Sequence, residues 1–131
     1  MIFPITTFTA AIVLTVLFII LTARVSMKRQ AENTPLGHGD NSPALTKAVR
    51  AQGNLAESMP LFIVLLYLVE TNGASSMYVW PLAGFYCFVR LSHAIGISQQ
   101  KDFSLLRTIG GGGTLLSLVA LCVLLALQIV A

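Results

Sequence analysis

Residues 42–71 read SPALTKAVRAQGNLAESMPLFIVLLYLVET, and how much of this stretch lies in a membrane decides the fold. Between Glu57 and Glu70 lie only 12 uncharged residues, about 18 Å of helix at 1.5 Å per residue. A hydrocarbon core is about 30 Å thick. A crossing helix must therefore run backwards through Glu57, Asn54 and Arg50. Ser42-Pro43 supplies its start, a capping side chain followed by proline at the first helical position. The expected span is 43–71, a helix that carries polar side chains into the membrane.

The rest of the chain reads the same way. Of its 131 residues 56% are hydrophobic and only 10% charged, where a soluble domain carries roughly 25% charged residues. That composition excludes a soluble domain, a disordered tail and a secreted disulfide scaffold. Met1 to Ala23 is an uncharged run of 23 residues with no cation before it, which favours a retained helix over a signal peptide. Thr71–Val89 gives 19 uncharged residues and Thr108–Ala131 gives 24. The expectation is one all-α membrane domain over 1–131, a four-transmembrane-helix bundle with spans near 3–25, 43–71, 75–97 and 104–130.

Cations set the orientation. Arg24, Lys28, Arg29 and Lys47 fall in or beside the first connection; Lys101, Arg90 and Arg107 flank the third; the second, Asn72 to Met77, has none. Loops one and three are expected in the cytoplasm and both termini outside, with Tyr78 and Trp80 at the outer interface. The net charge of +3 is mostly this asymmetry. No nucleic-acid partner is expected, because no basic face carries motif support.

Ionisable groups inside a span are costly and usually face a bundle interior or a cavity. At about 100° per residue, Arg50, Asn54 and Glu57 share an arc of roughly 60°, with Lys47 on the same stripe. Such a stripe can clamp a ligand bearing an ammonium and a carboxylate, or it can be a salt-bridge stripe that fixes packing. Pro60 withholds a donor from Ala56 and is expected to bend the helix just beyond the stripe. Tyr86, Arg90, His93 and Ile97 form a second stripe at spacings of four, three and four. An Arg90–Glu57 ion pair is the expected structural use of Arg90. Asp102, Ser104, Arg107 and Thr108 open the last helix at the same leaflet.

Gly110–Gly113 are expected to permit close helix approach, a local kink being the alternative. Cys87 and Cys122 read as small hydrophobes. His38 and Asp40 fall short of a zinc ligand set, so no metal is expected.

Two segments resemble a known family. Arg50-Ala-Gln-Gly-Asn-Leu-Ala-Glu-Ser-Met-Pro-Leu-Phe, opening the second of four spans, and Phe88-Val-Arg-Leu-Ser-His on the third, are similar to the MAPEG family. These are the membrane-associated proteins of eicosanoid and glutathione metabolism. The plain architecture resembles the family's bacterial members, which implies a bacterial inner membrane. The resemblance implies a homotrimer with glutathione as co-substrate between subunits. It carries glutathione contacts onto Arg50, Asn54 and Glu57, onto His93, and onto Arg24 as a reach to a carboxylate. It makes Arg107 the catalytic stabiliser of the thiolate, with Thr108 beside it. Ile97 departs from the pattern, standing where those relatives carry a tyrosine that contacts glutathione.

The implied activity is a glutathione-dependent transferase or peroxidase acting on a lipophilic electrophile or hydroperoxide drawn from the lipid. Two alternatives stand beside it. One is a glutathione-binding or structural membrane protein without turnover. The other is a small four-span exporter, whose usual carboxylate in the first span is absent from Met1–Ala23.

Overall fold

The computed structural model describes residues 3–37, 42–99 and 104–130. Four helices make up its regular structure: α1 (Ile5–Ala31), α2 (Pro43–Thr71), α3 (Ser76–Ser98) and α4 (Leu105–Val130). As helices, α2 runs over the residues expected for the second span, and α3 and α4 start one residue after 75 and 104. α1 runs on well past the expected end at 25. Its apolar run stops at Arg24, but Arg24–Ala31 contains no glycine or proline, and Lys28 and Arg29 in its last turn suit the negative end of the helix dipole. His38, Asp40, Lys101 and Asp102 lie outside the described residues.

α1, α2 and α4 are long and apolar enough to cross a membrane. α3, with 23 residues, is also long enough at about 34 Å, but Arg90 and His93 lower its mean hydropathy. Both are buried, while Phe88, Leu91 and Ile95 face outward. The outer surface of α3 is thus more apolar than its composition suggests.

α2 and α3 form the centre. Each touches all the other helices, whereas α1 and α4 flank them on opposite sides without meeting. The core runs through Leu14, Leu55, Phe62, Leu66, Tyr86 and Leu121. Phe62 and Tyr86 stack with ring centroids 3.6 Å apart. The flanks expose Ile12, Val16 and Ile20 on α1 and Leu116, Val119 and Val123 on α4, a surface suited to lipid.

α3 and α4 pack most intimately, and glycines make this possible. A Cβ on Gly110 would collide with the backbone and Cβ of His93, and one on Gly113 would stand 2.5 Å from Val89 Cγ1. The expected close approach therefore occurs at two of the four glycines. Gly112 meets nothing within 4 Å, and α4 continues unbroken through the run.

At the far end, α1 begins without a side-chain cap of its own. Glu70, 7% exposed, supplies one from α2. Its Oε1 accepts from Thr6 N at 2.9 Å, and its Oε2 accepts from Thr7 N at 2.8 Å and from Thr7 Oγ1 at 2.7 Å. Two of the backbone N–H donors that a helix start leaves over are thereby satisfied, the Thr7 hydroxyl adds a third bond, and the ends of α1 and α2 are joined. Gln128 Nε2 adds α4 to this end by donating to Val69 O at 3.0 Å.

Candidate functional site

The polar residues gather at the opposite end, where the start of α2, the end of α3 and the start of α4 meet. A cleft of about 360 Å³ opens there. α2 contributes Thr46, Lys47, Arg50 and Asn54, α3 contributes His93, Gly96 and Ile97, and α4 contributes Arg107. Three of these are cations, and no carboxylate lines the cleft among the described residues.

Four of the expected site residues, Arg50, Asn54, His93 and Arg107, are thus brought together. Glu57 lies on the same side of α2 as Arg50 but does not line the cleft, and both are exposed. Arg24 lines a second cleft and donates to Ser98 Oγ. Thr108 is exposed, and its hydroxyl turns back to Ser104 O at 3.5 Å.

The expected Arg90–Glu57 ion pair is not formed. Arg90 is 4% exposed, and its Nη1 donates to Thr114 Oγ1 at 3.1 Å. The two side chains share a depth but not a direction. The buried face of α2 runs through Ala48, Ala51, Leu55, Phe62 and Leu66. At 100° per residue, Glu57 and Arg50 point roughly 140–160° away from Leu55. The stripe therefore flanks the buried face: Lys47, Arg50 and Asn54 line the cleft, and Glu57 lies exposed beyond it.

Arg107 is held from α3 at two points. A Cβ on Gly96 would stand 2.5 Å from Arg107 N and 2.9 Å from Leu106 C, so only glycine lets α4 begin this close. One turn earlier, His93 Nδ1 lies 3.1 Å from Arg107 O. A carbonyl only accepts, so Nδ1 carries the proton. His93 Nε2 is buried and has no hydrogen-bond partner. The fixed positive charges of the cleft are Lys47, Arg50 and Arg107.

A further link runs from Tyr86 to α2. Its hydroxyl donates to Ser58 Oγ at 2.9 Å, and Ser58 Oγ donates to Asn54 O at 3.0 Å. This chain anchors the turn of α2 that carries Asn54. The second α3 stripe is inside as expected, with Tyr86, Arg90, His93 and Ile97 all buried.

Thr46 and Gly96 were not expected at the cleft. Thr46 precedes Arg50 by four residues, so helical period alone could have found it. Gly96 has no side chain to signal chemistry, and its part depends on where α4 lies.

In comparison with known families, the sequence model of the MAPEG family matches residues 5–127. Comparison with curated proteins finds no match.

Proposed function

The chain belongs to the MAPEG family, and from that premise we propose that it is a glutathione-dependent membrane transferase or peroxidase. The family includes glutathione transferases and peroxidases among other members. The observation that carries the reading is the convergence of Arg50, Asn54, His93 and Arg107 on one cleft. Glutathione has two carboxylates, an ammonium and a thiol. Lys47 and Arg50 suit a carboxylate, and Asn54 offers both donor and acceptor. Glu57, exposed beyond the cleft, would meet the ammonium once a second copy of the chain covers that face. Family members form trimers, and a homotrimer would supply such a cover. Arg24, in the neighbouring cleft, is left out of this assignment.

The chemistry begins at sulfur. A free thiol with pKa near 8.5 is only a few per cent thiolate at neutral pH. Lowering that value by two units takes about 2.7 kcal/mol of differential stabilisation. A charge-assisted hydrogen bond is worth roughly 1.5–3 kcal/mol, so one directed contact from Arg107 can supply it. An arginine acts as a fixed charge rather than a base, and that is the role proposed for Arg107. Thr108, the next residue, is the proposed second donor. In conjugation the sulfur lone pair forms the new bond to an electrophilic carbon as the bond from that carbon to its leaving group breaks; the leaving group takes that electron pair, and the thiol proton goes to solvent. In peroxide reduction the sulfur attacks the distal oxygen, the O–O bond breaks and the alcohol leaves with a proton; a second glutathione thiol then attacks the resulting sulfenic sulfur, expelling water and forming the disulfide.

The test is a glutathione titration of the purified protein in detergent at neutral pH, following far-ultraviolet thiolate absorbance. Wild type should give a saturable signal. Arg107→Ala should lose it while keeping its helix content, and Arg107→Lys should retain part of it. An unchanged signal in Arg107→Ala would refute the assignment. Ile97 favours the second reading, binding without turnover, because it lines the cleft with an alkyl side chain that cannot donate to a ligand.

A further inference from the structure

α2 is weakened at Pro60, between the turns that line the cleft and the turns that fill the bundle core. Pro60 offers no N–H to Ala56 O and crowds that carbonyl, yet α2 stays helical from Pro43 to Thr71. Just before it, Ser58 Oγ donates to Asn54 O at 3.0 Å, a back-bond of the kind that bends helices. On the cleft side of this weak point, α2 packs inward through Ala48, Ala51 and Leu55, contacts that carry no direction. Lys47 adds a solvent-exposed bond to Gln99 O at 2.9 Å.

Tyr86 of α3 bridges the weak point. Ser58 and Phe62 stand four residues apart, on the same face of α2, one on either side of Pro60. The Tyr86 ring stacks on Phe62 with centroids 3.6 Å apart and an interplanar angle of 5°. Its hydroxyl donates to Ser58 Oγ at 2.9 Å. Tyr86 is 0% exposed and does not line the cleft, so it acts on a ligand there only through α2.

We infer that Tyr86 is a positioning residue: it splints α2 across Pro60 and so sets how Arg50 and Asn54 enter the cleft. With glutathione as the cleft's ligand, the reading on which this role rests, the effect of losing the splint divides. Arg107 is set from α3 through Gly96 and His93, not from α2. Loss of the Tyr86 hydroxyl should therefore weaken the hold on glutathione and leave its thiolate alone. By linkage the weakening cannot exceed what one hydrogen bond is worth, a factor of roughly 2 to 12.

Tyr86→Phe keeps the stack and removes the hydroxyl, and Ser58→Ala removes the same bond from the other side. Ser117→Ala is the control, since it also deletes a fully buried hydroxyl, one bonded to Gly113 O within α4. These three and the Tyr86→Phe/Ser58→Ala double variant are purified in detergent beside wild type. The readouts are glutathione Kd by calorimetry, thiolate pKa at saturating glutathione, and amide hydrogen exchange without ligand. Tyr86→Phe should weaken binding within that range, leave the bound thiolate pKa unchanged, and speed exchange over residues 50–59 but not 64–71. The double variant should bind no worse than Ser58→Ala alone, because both changes delete one shared bond. Ser117→Ala should match wild type. An unchanged Kd in Tyr86→Phe would overturn the proposal, as would additive losses in the double variant. A shifted thiolate pKa, or equal weakening in Ser117→Ala, would mean general loosening of the bundle and overturn it too. If wild type binds no glutathione, the proposed function fails instead, and hydrogen exchange alone then upholds or overturns the splint.

Discussion

Gly96→Ala is the sharpest probe of how the bundle holds Arg107. The added Cβ would stand 2.5 Å from Arg107 N, 2.9 Å from Leu106 C and 3.0 Å from Arg107 Cα, all backbone atoms, where ordinary contact begins at 3.4 Å. Relief requires about 0.9 Å of separation between α3 and the start of α4, because no side chain there can swing aside. Overpacking of this kind costs typically 1–3 kcal/mol, against up to about 1 kcal/mol gained by replacing glycine with alanine in a helix. The expected net effect is a loss of zero to about 2 kcal/mol. The effect on function is larger. The same separation pulls on the 3.1 Å contact from His93 Nδ1 to Arg107 O, and a displacement near 1 Å at a reacting group can cost about a hundredfold in rate. Gly112→Ala is the matched control, since its Cβ would meet nothing within 4 Å of this chain. Thiolate absorbance, initial rate with a model electrophile, and the thermal midpoint should be measured on all three proteins. Gly96→Ala should lose thiolate signal and rate while remaining folded, and Gly112→Ala should hold both. If the two variants behave alike, the close approach of α4 does not position Arg107 and the reasoning fails.

Three other outcomes are expected. Ile97→Tyr places a phenol at the cleft wall, and one net hydrogen bond of about 0.5–1.5 kcal/mol should tighten glutathione binding roughly 2- to 12-fold by calorimetry. An unchanged Kd would remove residue 97 from the ligand's surroundings. Glu70→Gln turns one of two accepting oxygens into a donor facing N–H groups, and should cost about 1–3 kcal/mol in stability. Its glutathione Kd should stay the same, because the cap lies at the other end of the bundle. Replacing Arg50 and Glu57 together by leucine should shift native-mass-spectrometry populations towards monomer in a mild detergent, and an undisturbed oligomer would show that other contacts hold it.

Much of this protein is legible in one dimension. The length of α2 follows from comparing 12 uncharged residues with the thickness of a bilayer, and its start follows from Ser42-Pro43. Hydropathy measures how much helix lies in lipid rather than how much helix there is, which is why α1 outruns its apolar segment through Arg24, Lys28 and Arg29. Membership of a stripe is also legible, since helical period is fixed: Tyr86, Arg90, His93 and Ile97 all turn inward. The direction in which a stripe faces is not. Arg90 and Glu57 were matched by depth and sign, but Arg90 is buried and donates to Thr114 on α4, whereas Glu57 is exposed. Thr6 and Thr7 meet Glu70 across 64 and 63 residues of chain, and no local pattern marks either partner.

The exposure of Arg50 and Glu57 bears on how the site is completed. Insertion scales charge about 2.5–3.5 kcal/mol for a cation or carboxylate at the centre of a membrane helix, and less towards its ends. A lone protomer would present Glu57 to lipid or to the headgroup region, and would leave Arg50 in an open cleft with two other cations and no carboxylate among the described residues. Arg90, by contrast, is buried and bonded to Thr114 within its own bundle. Ion pairing within the protomer could have drawn the α2 stripe inward, and the small and apolar residues Ala48, Ala51 and Leu55 occupy that side instead. On the proposed reading, the same side chains that hold glutathione are those whose exposure favours association, so a protomer that loses its neighbour loses part of its binding site as well. Ligand binding and assembly would then be linked, each strengthening the other by the same factor.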